Sequence, residues 1–198
     1  MVFTDVPVPS PRPLLRAFLL AVIAWPTTAT AAPPLREAAE TYYDREDLYN
    51  GVYVGLGSVQ TAAGIALITR PDPGLRAAGV AFTAVGGIQL LTGVIYLALN
   101  PGWRREALTT LASDEASFQN TERTRMATIE SRFIYFKLAE LTAIATGLVL
   151  GSVGAARDQP LLMGAGAGLG VAASGQLVME HIVHDAARDY LFTLGGRF

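Results

Sequence analysis

Apolar residues gather along this chain in four stretches free of Asp, Glu, Lys and Arg, separated by short polar breaks rich in proline and glycine. Roughly 20 helical residues cross a hydrocarbon layer ~30 Å thick, so stretches of this length predict transmembrane helices. The first runs from Gly51 to Thr69 and ends at a turn holding Pro71, Pro73 and Gly74, residues that stop a helix and reverse the chain. The second runs from Ala77 to Leu99 and is expected to stop at Asn100-Pro101-Gly102. The uncharged part of the third, Leu141 to Ala156, gives only about 24 Å of helix. It must extend back through Glu140 and Lys137 toward Phe133, which puts both charges at the boundary, where they can snorkel into headgroups. The fourth runs from Leu161 to Met179 and meets Glu180, His181, His184 and Asp185.

The two pairs of spans resemble each other. At one constant offset Arg70 falls on Arg157, Pro73 on Pro160, Gly79 on Gly166 and Gln89-Leu90 on Gln176-Leu177, while the preceding helices align Gly64 with Gly147 at a slightly shorter offset. Each unit has an even number of spans, so both enter from the same side and the repeat is parallel, about an axis along the membrane normal. The fold class expected is an all-α membrane protein, with four transmembrane helices as two similar hairpins and an amphipathic connecting helix.

The flanking segments complete the domain plan. Arg12 and Arg16 precede the apolar run Ala17 to Trp25, Pro26 follows, and Ala29-Thr30-Ala31 offers small residues at the spacing a signal peptidase accepts. Residues 1–31 therefore read as an export signal, with an uncleaved anchor as the alternative. Residues 32–50 read as an exposed lead-in helix, with Leu35, Ala38, Ala39 and Tyr42 on one face. The hairpins occupy 51–99 and 137–184. Between them, 100–136 reads as an amphipathic connector whose Leu108, Leu111, Met126, Ile129 and Phe133 lie on the membrane or cap the bundle. Residues 185–198 read as an exposed tail. The signal would place the mature N-terminus outside and both tight turns in the cytoplasm. Tyr49, Tyr53, Tyr96, Trp103, Tyr135, Phe136, Tyr190 and Phe192 cluster near the ends away from the turns, as one aromatic belt would.

Composition agrees: 51% of the 198 residues are hydrophobic, 16% are charged, and the mean hydropathy is +0.35. A net charge of −2 with arginines interleaved among acids gives no clustered basic face, so nucleic acid is set aside as a partner. No cysteine is present, which excludes disulfides and thiolate chemistry. Lys137 is the only lysine, and with abundant Ala and Gly this points to a GC-rich bacterial genome and hence to the bacterial inner membrane.

Three sets of residues invite functional readings. Gly51 and Gly55, Gly147 and Gly151, and Gly164 and Gly168 recur four apart, the spacing at which helix backbones approach closely in a bilayer, either within the bundle or at an interface with a second copy or another membrane protein. Gln60, Gln89 and Gln176 lie inside spans, where an amide needs a partner; the repeat suggests a Gln89–Gln176 contact or a polar route. Glu180, His181 and His184, with Glu140 at the same depth, have the residue types of a divalent-metal site, although their spacing belongs to no specific metal family. No cofactor is otherwise expected. No serine stands in a nucleophile elbow, and the Gly164 to Gly170 run lacks the strand and Lys-Ser/Thr of a phosphate loop. The sequence thus favours a non-catalytic membrane scaffold or accessory subunit, over a small transporter or channel with a glutamine-lined route, or a membrane metal protein or enzyme.

Overall fold

The structure is a computed structural model describing residues 34–195, so the export signal expected over residues 1–31 lies outside the described residues. Four long helices make up the described chain: α1 (Leu35–Ile68), α2 (Pro73–Ser113), α3 (Glu115–Ala156) and α4 (Pro160–Thr193). All four are long and apolar enough to cross a membrane. The chain is a multi-pass helical protein of the membrane type, and its surface follows that solvent. Val59, Ile88, Leu148, Val149 and Val171 are each more than 60% exposed, while Gly64, Gly79, Gly147 and Gly166 are buried. Large apolar side chains outside and small residues inside would aggregate in water but suit hydrocarbon, where packing rather than apolar burial drives association.

The helix starts follow from local chemistry. Asp72 caps α2 by accepting from the Leu75 backbone N–H at 2.8 Å, with Pro73 in the first turn, where its missing N–H costs nothing. Asp114 alone links α2 to α3 and caps α3 through Ser117 N–H at 3.0 Å. Before α4 the chain turns at Asp158, whose φ of 51° is one an aspartate tolerates better than most side chains.

Adjacent helices run antiparallel, α1 along α2 and α3 along α4, while α2 and α4 run parallel to each other. Their contacts need bare backbone. A Cβ on Gly64 would sit 2.7 Å from the Gly79 carbonyl oxygen, and one on Gly79 would sit 2.5 Å from that of Gly64. Gly147 and Gly166 stand in the same relation, at 2.7 and 2.5 Å. Gly164 packs against Gly74 and Gly168 against Ala78, which joins α4 to α2.

Buried positions recur every seventh residue: Gly79, Gly86, Gly93, Asn100 and Ala107 on α2; Met126, Phe133, Glu140, Gly147 and Gly154 on α3; Gly166, Ala173, Glu180 and Ala187 on α4. That period is the seam of a left-handed coiled coil. Each seam carries glycine near the tight turns and loses it toward the far end, where the α3 seam ends on Phe133 and Met126. There Tyr42, Tyr43, Phe118, Met126, Phe133, Tyr190, Leu191 and Leu194 form the hydrophobic core. At 41 and 42 residues, α2 and α3 are about 62 Å long, twice the hydrocarbon thickness, so this aromatic end lies beyond the spans.

Several expectations are corrected here. Residues 35–50 are not an exposed lead-in but the continuous start of α1, with Ala39 and Tyr43 buried in the aromatic core. The helix does not stop at Asn100-Pro101-Gly102 but continues to Ser113 with Pro101 inside it. Asn100 Nδ2 donates to Asp47 Oδ1 at 2.6 Å and to the Tyr43 carbonyl at 3.3 Å, so contacts with α1 hold the helix across the proline. The connector is not a separate segment; it forms the ends of α2 and α3, and its apolar stripe, Leu108, Leu111, Met126, Ile129 and Phe133, packs into the core at the end of the bundle. The tail is not wholly exposed either: Ala186, Ala187, Tyr190, Leu191 and Leu194 are buried, while Asp185, Arg188, Asp189 and Phe192 are exposed. The aromatic set divides: Tyr96, Tyr135, Phe136 and Phe192 face outward, whereas Tyr53 and Tyr190 point in.

Candidate functional site

Buried and half-buried polar side chains gather in three places. The first is in the aromatic end. Glu122, one helical turn from both Phe118 and Met126, is only 4% exposed. Its Oε1 accepts from Arg125 at 2.7 Å, from the Tyr43 phenol at 3.1 Å and from the Tyr190 phenol at 3.4 Å, while Oε2 accepts from Arg125 Nε at 2.9 Å. Arg125 lies over the Tyr43 ring at 5.4 Å, and Tyr42 stacks on Tyr190 at 4.3 Å. A bidentate pair of this kind is what a buried carboxylate needs. Burial works against the Arg125 charge, but Glu122 holds its pKa above the usual arginine value. Nearby, the Tyr42 phenol donates to Glu46 Oε1 at 2.7 Å while Glu46 Oε2 has no partner. Burial pushes the Glu46 carboxyl above its ordinary value, against the lowering effects of Tyr42 and Arg125. Burial likewise raises the phenols of Tyr43 and Tyr190. A cavity of about 130 Å³ opens beside this group, between Tyr43, Trp103, Phe118 and Arg125.

The second place lies where the glycine part of the bundle meets the aromatic end. Glu140 and Glu180 occupy seam positions of α3 and α4 at 7% and 8% exposure. The Tyr53 phenol of α1 donates to Glu180 Oε2 at 3.1 Å. Glu140 Oε2 and Glu180 Oε1 are buried with no hydrogen-bond partner. The two carboxyl groups repel each other, and Lys137 acts favourably on both.

The third place is an adjoining chain of contacts. Lys137 Nζ stands 2.6 Å from His184 Nδ1, and His184 Nε2 stands 3.5 Å from Glu130 Oε1. Lysine has no acceptor, so the contact assigns His184 the neutral tautomer with Nδ1 accepting and Nε2–H directed at Glu130. Phe133 packs on the imidazole at 4.6 Å between ring centres.

The expected metal residues are thereby divided. Glu140 and Glu180 come together, His184 belongs to Lys137 and Glu130, and His181 faces outward at 68% side-chain exposure, 3.6 Å from Asp185. Among the described residues no three His, Asp or Glu side chains converge as a metal site requires. Each histidine has a nearer local partner, and facing sideways on one helix does not bring i and i+3 side chains into the same interior.

The glutamines separate too. Gln89 is fully buried with neither amide atom partnered, so it makes no hydrogen bond to Gln176. Gln60 Oε1 is also unpartnered, while Gln176 is half-buried. Of the glycines, Gly147, Gly164 and Gly168 pack inside the bundle, Gly51 and Gly55 face open space, and Gly151 is divided, with its backbone against Gly166 and its Cβ direction open.

The sequence reading missed Glu122–Arg125 and the part played by Tyr53. A signal existed for the first: Glu122 interrupts the stripe Phe118, Met126, Phe133 at a position where an apolar residue belongs. Nothing local marked Tyr53, whose partner lies 127 positions away. Comparison with protein-family models, with curated proteins and with solved structures finds no match.

Proposed function

We propose that this chain is a non-catalytic scaffold or accessory subunit of a bacterial inner membrane, working through lateral contacts in the bilayer and a rigid helical head beyond it. The observation that carries the reading is the division of its glycines. Those at Gly64, Gly79, Gly147 and Gly166 are consumed by internal packing, while Gly51 and Gly55 leave bare backbone on the outside of the bundle, where a partner helix can approach closely. The ion pair sealed among tyrosines stiffens the head rather than offering a reactive group, since Glu122 is only 4% exposed and its oxygens are taken by Arg125, Tyr43 and Tyr190.

In this reading the bundle is two copies of one hairpin, related in parallel about the membrane normal. Support comes from the glycine contacts: the pairs aligned by sequence, Gly64 with Gly147 and Gly79 with Gly166, make the same close approach in each half. The export signal over residues 1–31 would set the aromatic head outside the cytoplasm and both tight turns inside.

The test is a photo-crosslinking residue placed in turn at Gly51 and Gly55 in producing cells, with the exposed Val171 of α4 as the control. The reading expects a discrete protein adduct, a second copy or one other membrane protein, from the two glycine positions and lipid adducts from Val171. Adducts to lipid alone from both glycine positions refute it, as does ion flux in reconstituted liposomes well above protein-free ones.

A further inference from the structure

Glu140 and Glu180 sit where the coiled-coil seams of α3 and α4 otherwise carry Phe133, Gly147, Ala173 and Ala187. Both are more than nine-tenths buried, and each keeps one oxygen, Glu140 Oε2 and Glu180 Oε1, with no hydrogen-bond partner. A buried carboxylate oxygen left without a donor is costly, and two repelling carboxylates more so. The neighbouring groups do not supply what is missing. From α1, Tyr53 has one phenolic proton, already given to Glu180 Oε2. From α3, Lys137 contributes one positive charge, with its ammonium held 2.6 Å from His184. Beyond His184 lies Glu130, on the more exposed side, while His181 on α4 turns outward to Asp185. From α2, the stretch between Gly86 and Leu99 has no ionisable residue but Tyr96, which faces outward.

A fourth polar group faces this layer. Gly86 and Gly93 pack against α1 at Gly57–Thr61 and Asn50–Val54, and Gln89 lies between them on the same face of α2. It is fully buried at the depth of the α1 stretch that carries Tyr53, with neither amide atom partnered.

We propose that Glu140 and Glu180 hold one exchangeable monovalent cation, a proton or an alkali ion, between their unpartnered oxygens, with Tyr53 fixing Glu180 in place. Charge sets the valence: two carboxylates against Lys137 leave a single negative charge to neutralise in a low-dielectric interior. This goes beyond the scaffold reading, and neither depends on the other.

The test uses the full-length wild-type protein and a hydrophobic carbodiimide, which reacts with a carboxylic acid only while the acid holds its proton. The labelled residue is located by mass spectrometry, from mildly acidic to mildly alkaline pH, in sodium chloride or in choline chloride at equal ionic strength. Labelling of Glu140 or Glu180 that sodium slows, by about tenfold when sodium is at ten times its dissociation constant, identifies an alkali-ion site. Labelling that ignores sodium but falls as pH rises identifies a proton site. No labelling at either residue, or labelling that neither pH nor sodium changes, overturns the proposal. All outcomes are read on the unmodified chain, so none turns on whether a Glu140→Gln or Glu180→Gln variant folds.

Discussion

The Tyr43 phenol donates to Glu122 Oε1 at 3.1 Å across 79 positions of sequence, tying the first turns of α1 to those of α3 inside the aromatic end. Arg125 bonds the same carboxylate and the same phenol, so the three groups form one closed unit. Such a unit holds the far ends of the helices together where the glycine contacts of the spans no longer reach.

Removing one member should therefore cost more than a single hydrogen bond. Glu122→Ala leaves Arg125 without its carboxylate; because Arg125 keeps 26% side-chain exposure, the loss should fall at the lower end of the usual range for breaking a buried pair, about 3 kcal/mol. Tyr43→Phe removes one donor to Glu122 and one acceptor from Arg125 while leaving their bidentate pair intact, and should cost about 1–2 kcal/mol. Unfolding in detergent, followed by circular dichroism, checks the order. Equal losses would mean that the pair adds nothing beyond the phenol.

Glu46 predicts a dependence on pH. Burial disfavours its ionised form, so its carboxyl titrates higher in the folded protein than in the unfolded chain. Below the ordinary carboxylate range both states hold the proton and Glu46 carries no penalty. As pH rises through that range the unfolded chain ionises first, and the folded state loses stability until its own carboxyl ionises. Glu46→Gln keeps an acceptor for the Tyr42 phenol and removes the charge. The variant should exceed wild type in melting temperature at neutral and alkaline pH, with the difference vanishing at acid pH. A difference of constant size across that range would exclude burial of the charge as its cause.

The extent to which the chain was legible in advance follows from the range of the forces involved. The span from Gly51 to Thr69 lies within α1 and its C-cap residue, and that from Leu161 to Met179 within α4, because hydrocarbon length and apolarity are local properties of sequence. Pro101 and Gly102 misled because local propensity counts against a helix there, while the contacts that preserve it, from Asn100 to Tyr43 and Asp47, span more than 50 positions. The candidate metal group failed for a related reason. Spacing along α4 put Glu180, His181 and His184 near one another, but Tyr53, Asp185 and Lys137 on different sides of that helix claimed them separately. The seven-residue seam was open to inspection throughout, yet glycine at a core position carries no hydrophobic signal in a span that is apolar all round.

The two classes of glycine should respond oppositely to substitution. At Gly64 and Gly147 an added Cβ meets backbone carbonyls at 2.7 Å, so Gly64→Val or Gly147→Val must push α1 from α2 or α3 from α4. Overpacking costs about 1–3 kcal/mol where side chains can yield, and backbone yields less readily, so the upper part of that range applies. At Gly51 and Gly55 nothing lies within 4 Å, and alanine is a better helix former by about 1 kcal/mol. Gly51→Ala and Gly55→Ala should leave the isolated protein unchanged or slightly more stable, as measured by thermal unfolding in detergent. The same two substitutions should weaken lateral association in native membranes if the outer glycines serve a partner helix, because a methyl group there obstructs only the partner. Destabilisation of the isolated chain by Gly51→Ala would place that glycine inside the packed bundle and remove it from the docking face.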